Sequence, residues 1–271
     1  MGGAGSLPAS RNSSMLKRSC LWLLMLCCTQ FSAAEELSWQ SPTFIQQAFI
    51  AVALRNEYQA GAMPLRRWRQ DVRVWLDHRV PDQALHQALV EEHLRHLAAI
   101  TGHSIHRVNN KADANVQLVF TRQENWAREA QELMGSQVDA AIHGAVCMAG
   151  FDVNAGEIIR ARVIIPVDQA RMHGRLVACI VEELTQIMGL PNDSEAAYPS
   201  IFNDKSPEQI LSPLDVVLLK LLYQPALRPG MQEPEVRRVT EKILNRWRED
   251  GTIASAVGEA RSGELYQRLA P

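Results

Sequence analysis

An α+β fold is predicted, on three observations. Short segments alternate apolar and polar residues at period two, as half-buried strands do. Longer segments repeat apolar residues at helical spacing, and several carry helix start and stop signals. The two kinds are interspersed along a chain of 271 residues, 46% hydrophobic, which is enough to bury one substantial core.

From the N-terminal side, "SPTFIQQAFIAVALRNEY" places Phe44, Ile45, Ala48, Phe49, Val52 and Ala53 on one side of a helix, with Ser41 at its N-cap. "LRRWRQDVRVWL" turns to period two at Val72, Val74 and Leu76, the first strand. "PDQALHQALVEEHLRHLAAITG" is a long helix stopped by Gly102; "SIHRV" and "NVQLVFT" are strands, and "ENWAREAQELM" is a helix. "GAVCMAGF" and "EIIRARVIIP" are two more strands, and a helix at 175–190 comes after them. In "LSPLDVVLLKLLY", Ser212 is the N-cap, Pro213 the first helical residue, and Asp215 completes a capping box. "RPGM" breaks the chain before a charged helix, "EPEVRRVTEKILNRW", and a weakly constrained tail. No internal repeat or low-complexity tract interrupts this order.

The N-terminus reads as a secretory signal over residues 1–34. "MLKR" is a positive start, "CLWLLMLCC" a short apolar run, and "FSAA" a small-residue cleavage site. The run is too short to span a bilayer, so the mature chain carries no transmembrane segment. A periplasmic or secreted location is expected, with a lipid anchor through Cys27 or Cys28 as the minor alternative. Removing Arg11, Lys17 and Arg18 takes the formal charge from −2 to −5, which excludes general affinity for nucleic acid. Only Cys147 and Cys179 then remain, and in an oxidising compartment they read most simply as a disulfide. Two thiolate metal ligands are the competing reading.

The helix within "CIVEELTQIMGLPNDS" carries the functional question. Val177, Ile180, Val181, Leu184, Ile187 and Met188 share a broad apolar face; Arg175, Cys179, Glu182, Glu183 and Gln186 lie opposite, and from pattern alone they read as a solvated polar face. Gly189 ends the helix and Pro191 prevents its continuation. The rhythm is that of a zinc-peptidase helix, in which two histidines at i and i+4 reach one metal and an intervening glutamate is the general base. Here those places hold Glu182, Glu183 and Gln186, followed by Gly189, Asn192 and Asp193. No histidine survives. A carboxylate and a neutral amide are poor zinc ligands, and an all-oxygen set suits calcium or magnesium only with more oxygens than these provide.

"EELTQIMGLPNDS", "SIFND" and "LSPLDVVLLKLLY", in that order, resemble the active helix, following turn and final helix of metzincin peptidases, with Phe202 where those carry a methionine. From "LRRW" to "LRPGM" the chain also resembles the bacterial family catalogued as domain of unknown function 2927. The resemblance implies a zincin-like domain over 35–230, a mixed sheet with the 175–190 helix packed beneath it, and a helical extension over 231–271. It implies no established reaction.

Other residues invite chemistry. His86, His93 and His96 line one side of the long helix, with His103 and His106 after its turn; they read as metal ligands without a closed set, or as polar edges of a half-buried face. His143 and His173 stand alone. The strand with Ile159, Ala161 and Val163 reads as a sheet edge that accepts an extended peptide, or as an edge guarded by Arg160 and Arg162. Three functions therefore compete. The first is a non-catalytic envelope protein binding an extended peptide or another envelope protein, with no cofactor and a metal ion only as a minor reading. The second is an atypical metallohydrolase with Glu183 as general base and Glu182, Gln186 and Asp193 or Asn192 around a non-zinc ion. The third is a purely structural envelope protein.

Overall fold

A computed structural model describes residues 1–3, 5, 38–55, 61–135, 138, 142 and 144–269. The expected signal segment, with Cys20, Cys27 and Cys28, lies outside the described residues apart from residues 1–3 and 5. The chain divides into Met1–Ser38 and Trp39–Pro271, and among the described residues every strand and every α-helix belongs to the second unit.

The α+β expectation holds. Among the described residues the order is α1 (Pro42–Ala53), β1 (Val72–His78), α2 (Gln83–Thr101), β2 (Ile105–Arg107), β3 (Val116–Thr121), α3 (Gln123–Met134), β4 (Met148–Asn154), β5 (Glu157–Pro166), α4 (Val167–Met172), α5 (Leu176–Gln186), α6 (Pro213–Leu222), α7 (Glu233–Glu249), α8 (Thr252–Arg261) and α9 (Glu264–Leu269). The five strands form one sheet in the order β2-β1-β3-β5-β4. The pairs β1–β2, β1–β3 and β3–β5 are parallel, and β4–β5 is antiparallel. The hairpin turns through Ala155 (φ 50°) and Gly156 (φ 85°), two consecutive left-handed residues that match the twist of an antiparallel pair. A Cβ on Gly156 would stand 2.0 Å from the Gly230 nitrogen, so glycine is what lets the tip meet the chain beyond α6.

The sheet sorts its side chains by face. Val72, Val74, Leu118, Phe120, Ala161, Val163 and Ile165 enter the main core with Leu94 and Leu97 of α2, Ile180 and Leu184 of α5, and most of α6. Val119, Met148 and Ile164 point the other way, against Trp126 and Ala130 of α3. Fully burying one such side chain contributes about 1.5–3 kcal/mol, so the main core is the chief support of the fold.

The expected strand at 157–166 forms, but it is not the sheet edge. β5 pairs with β3 over Ala161–Pro166 and with β4 over Glu157–Ile164. Ala161 and Val163 are completely buried, and Ile159 alone of the three candidate positions is exposed. Among the described residues the edge on this side is β4, which pairs with β5 and bulges between Asp152 and Val153. The tail is likewise not weakly constrained: Ile253, Ala256, Ala260 and Leu265 join the main core. Arg268 pairs with the buried Glu92 of α2, and Arg95 with Glu264.

Candidate functional site

The motif helix α5 lies against β4, β5 and α2 because its apolar stripe, Ile180, Val181 and Leu184, belongs to the main core. Cys179 bonds to Cys147, just before β4, with Cα atoms 5.8 Å apart. The disulfide reading holds, and the bond fixes this helix to the approach of the edge strand.

The polar face is not solvated. Glu182 is 8% exposed and Glu183 5%. Arg175 Nη2 donates to Glu182 Oε2 at 3.2 Å, within the same helical segment. Gln186 Nε2 donates to Asp193 Oδ1 at 3.0 Å. Asn192 Nδ2 donates to Ala51 O and Asp193 O, both at 2.9 Å, and its backbone N–H to Val52 O at 3.2 Å. Asn192 thus takes up carbonyls near the C-terminus of α1, groups that a helix end leaves without intrahelical donors. Gln186 and Asp193 hold each other. Among the described residues no three His, Cys, Asp or Glu side chains converge where a metal ion could bind.

The sharp turn after the helix is built by its surroundings. Gly189 has φ 118°, and a Cβ there would lie 2.1 Å from Arg66 O. Trp68 Nε1 donates to Ile187 O at 2.7 Å and the Tyr223 hydroxyl to Met188 O at 3.1 Å. Burial raises the Tyr223 phenol above its ordinary value, so it stays a donor. Phe202 is completely buried, and its carbonyl accepts from Ser194 N at 2.7 Å. Asp215 ties this turn to α6. One carboxylate oxygen accepts from Ser200 Oγ at 2.5 Å; the other accepts from Ser212 N at 2.7 Å and Ile201 N at 3.2 Å. Burial pushes the Asp215 carboxyl up to about 6, against the opposing pull of those donors.

Sequence reasoning missed Arg66. It is 5% exposed, Nη2 donates at 3.0 Å to both Ala53 O and Arg55 O, and the guanidinium sits over the Phe151 ring of β4 at 5.7 Å. Burial lowers its pKa to about 10. A cation joining the end of α1 to the edge strand could not be read from "LRRWR", where three arginines stand in five residues.

The histidines do not assemble around α5. His93 Nε2 lies 3.0 Å from Thr185 Oγ1, and because that hydroxyl donates to Val181 O at 2.5 Å, the imidazole is the donor. Burial lowers its pKa to about 3, which fixes it neutral. His96 Nε2 meets Glu259 O at 3.0 Å, and His103 Nε2 meets Gln70 O at 2.9 Å. His86 is buried against Phe120, His106 and His173 are exposed, and His143 lies outside the described residues. A cleft of about 450 Å³ opens on the α3 side of the sheet, lined by Trp75, Lys111, Gln117, Glu129, Arg160 and Arg162, and includes none of the α5 carboxylates.

Fold and site together describe a mixed α+β domain whose motif helix has spent its polar side chains on its own framework. The family profile Protein of unknown function (DUF2927) matches residues 42–242, and the chain belongs to that family. A search of curated proteins returns no match.

Proposed function

We propose that this protein is exported to the periplasm or cell exterior and acts there by binding, on a zincin-like scaffold whose metal motif is degenerate. The observation that carries the reading is the commitment of Gln186 and Asn192. The first is hydrogen-bonded to Asp193 and the second to Ala51 O, so both second and third ligand positions of the peptidase frame hold the fold together. Glu183 as a general base would lack the electrophile that lowers the pKa of an attacking water from about 16 to about 7. The antiparallel edge strand β4, with α5 bonded beside it through Cys147–Cys179, supports the zincin-like reading. It also offers an extended peptide a ladder of backbone donors and acceptors. The apolar leader and the disulfide, which needs an oxidising compartment, support export.

Two measurements test this. Calorimetric titration with zinc, calcium and manganese is expected to show no site that depends on Glu182 and Gln186. Stoichiometric metal lost in Glu182→Ala and Gln186→Ala, with peptide hydrolysis stopped by chelation, would overturn the non-catalytic reading. For an eight-residue peptide selected by array binding, amide exchange at 148–154 is expected to slow on addition. Binding that leaves those amides unchanged would remove β4 as the docking edge.

A further inference from the structure

Away from α5, at the C-terminal ends of the parallel strands, a fully buried imidazole and a half-buried one lie against one phenylalanine ring. His78 ends β1, Phe120 lies beside it on β3, and His86 comes from the first turns of α2. His86 is completely buried. Among the described residues, three ring nitrogens, His78 Nδ1 and both nitrogens of His86, are buried and have no hydrogen-bond partner. Leaving a buried donor or acceptor unmet costs about 1–3 kcal/mol, so a ring with neither nitrogen engaged calls for a ligand.

The ring geometry says how the two imidazoles lie. His86 and Phe120 centroids are 4.5 Å apart at 18°, and His78 and Phe120 centroids 5.2 Å apart at 8°. Near-parallel rings in contact keep a perpendicular spacing of about 3.5 Å, so imidazoles on opposite faces of Phe120 would be about 7 Å apart. Their centroids are only 5.9 Å apart, at 15°. Both therefore lie over the same face of Phe120, edge to edge and nearly coplanar. With metal–imidazole bonds of about 2.0 Å, one ion held in plane between two imidazoles sets their centroids about 6 Å apart.

We propose that His78 and His86 form a two-coordinate site for a soft monovalent cation of the Cu(I) class, with Phe120 as its floor. A zinc site would take four ligands, and among the described residues no three His, Cys, Asp or Glu side chains gather. A closed-shell monovalent ion is content with two nitrogens in line, and a single charge costs less to bury than a double one.

Silver(I), which has no redox chemistry of its own under these conditions, is the probe. Titrated into the full chain and followed by imidazole ¹⁵N resonances and calorimetry, it is expected to bind one equivalent. The His78 and His86 resonances should move, those of His93, His96 and His103 should stay, and His78→Phe should weaken binding at least tenfold. Zinc at the same concentration should leave both rings unshifted. No silver uptake, uptake with the two rings unmoved, or an equal response to zinc would each overturn the site. The wild-type resonances decide it whether or not a given variant folds.

Discussion

Asp215→Ala should destabilise the protein more in acid than at neutral pH, a direction opposite to that expected of a carboxylate held by hydrogen bonds. The variant removes the acceptor for the Ile201 and Ser212 amides and for the Ser200 hydroxyl. Ser200 can turn elsewhere. Two buried amides cannot, and each left unmet costs about 1–3 kcal/mol, or about 2–6 kcal/mol together. Against that, the wild-type carboxyl is raised from 3.8 to about 6 by burial, which at 1.36 kcal/mol per pH unit is about 3 kcal/mol of penalty once it ionises. Because the folded value lies above the unfolded one, Asp215's contribution is complete below pH 3.8 and is lost as pH rises through about 6. At pH 4.5 about 1 kcal/mol of the penalty is already present and at pH 7.5 nearly all of it, so the gap between wild type and variant narrows by about 2 kcal/mol. Urea unfolding of both proteins at the two pH values measures this directly. A gap that stays constant or widens toward pH 7.5 would mean that the three donors outweigh burial, and the account of this turn would fail.

The same contacts set the response to other perturbations. Reducing Cys147–Cys179, which are 32 residues apart, should lower stability by about 3–4 kcal/mol through the freed chain, read as the shift in urea midpoint with and without reductant. Gly189→Ala combines φ 118° with a Cβ 2.1 Å from Arg66 O and should cost at least about 3 kcal/mol, visible as a large drop in melting temperature or loss of soluble protein. His93 has its pKa lowered to about 3, so its contribution is complete above pH 6.5 and is lost as pH falls from 6.5 through about 3; His93→Gln should flatten the acid limb of stability against pH. A variant as acid-sensitive as wild type would show that other groups set that limb.

What was legible in the sequence was local. The Ser212–Asp215 capping box forms as read, because it needs only four consecutive residues and a proline at the right place. The disulfide followed from there being two cysteines left. The position of β5 was harder. Its first half alternates, which suggested an edge, but Val163, Ile164 and Ile165 form a continuous apolar run, the mark of a strand covered on both faces. The tail was misjudged because Ala256 and Ala260 contribute little to an apolar stripe, although they fit closely against the core. Arg66 over Phe151 and the contact of His93 with Thr185 join residues 85 and 92 positions apart, and no local pattern encodes them. For the same reason Glu182 and Glu183 looked solvated: an amphipathic pattern marks which face is polar, and the rest of the chain decides whether that face meets water.

That distinction bears on how a spacing that resembles a peptidase motif in the sequence can stand without metal ligands. Each position of that spacing has a structural task whatever the chemistry. Gly189 allows the chain to pass against Arg66, Asn192 closes the end of α1, Gln186 and Asp193 brace the turn, and Asp215 anchors the loop carrying Phe202. None of these tasks calls for an imidazole. Such a spacing can therefore follow from packing alone, and it is no argument for turnover. If that is right, replacing Gln186 and Asn192 by histidine should first unpick the α1 contact and lower stability, before any metal has a chance to bind. Gain of tight zinc binding in that double variant without loss of stability would show instead that these positions can take up a metal at no cost to the fold.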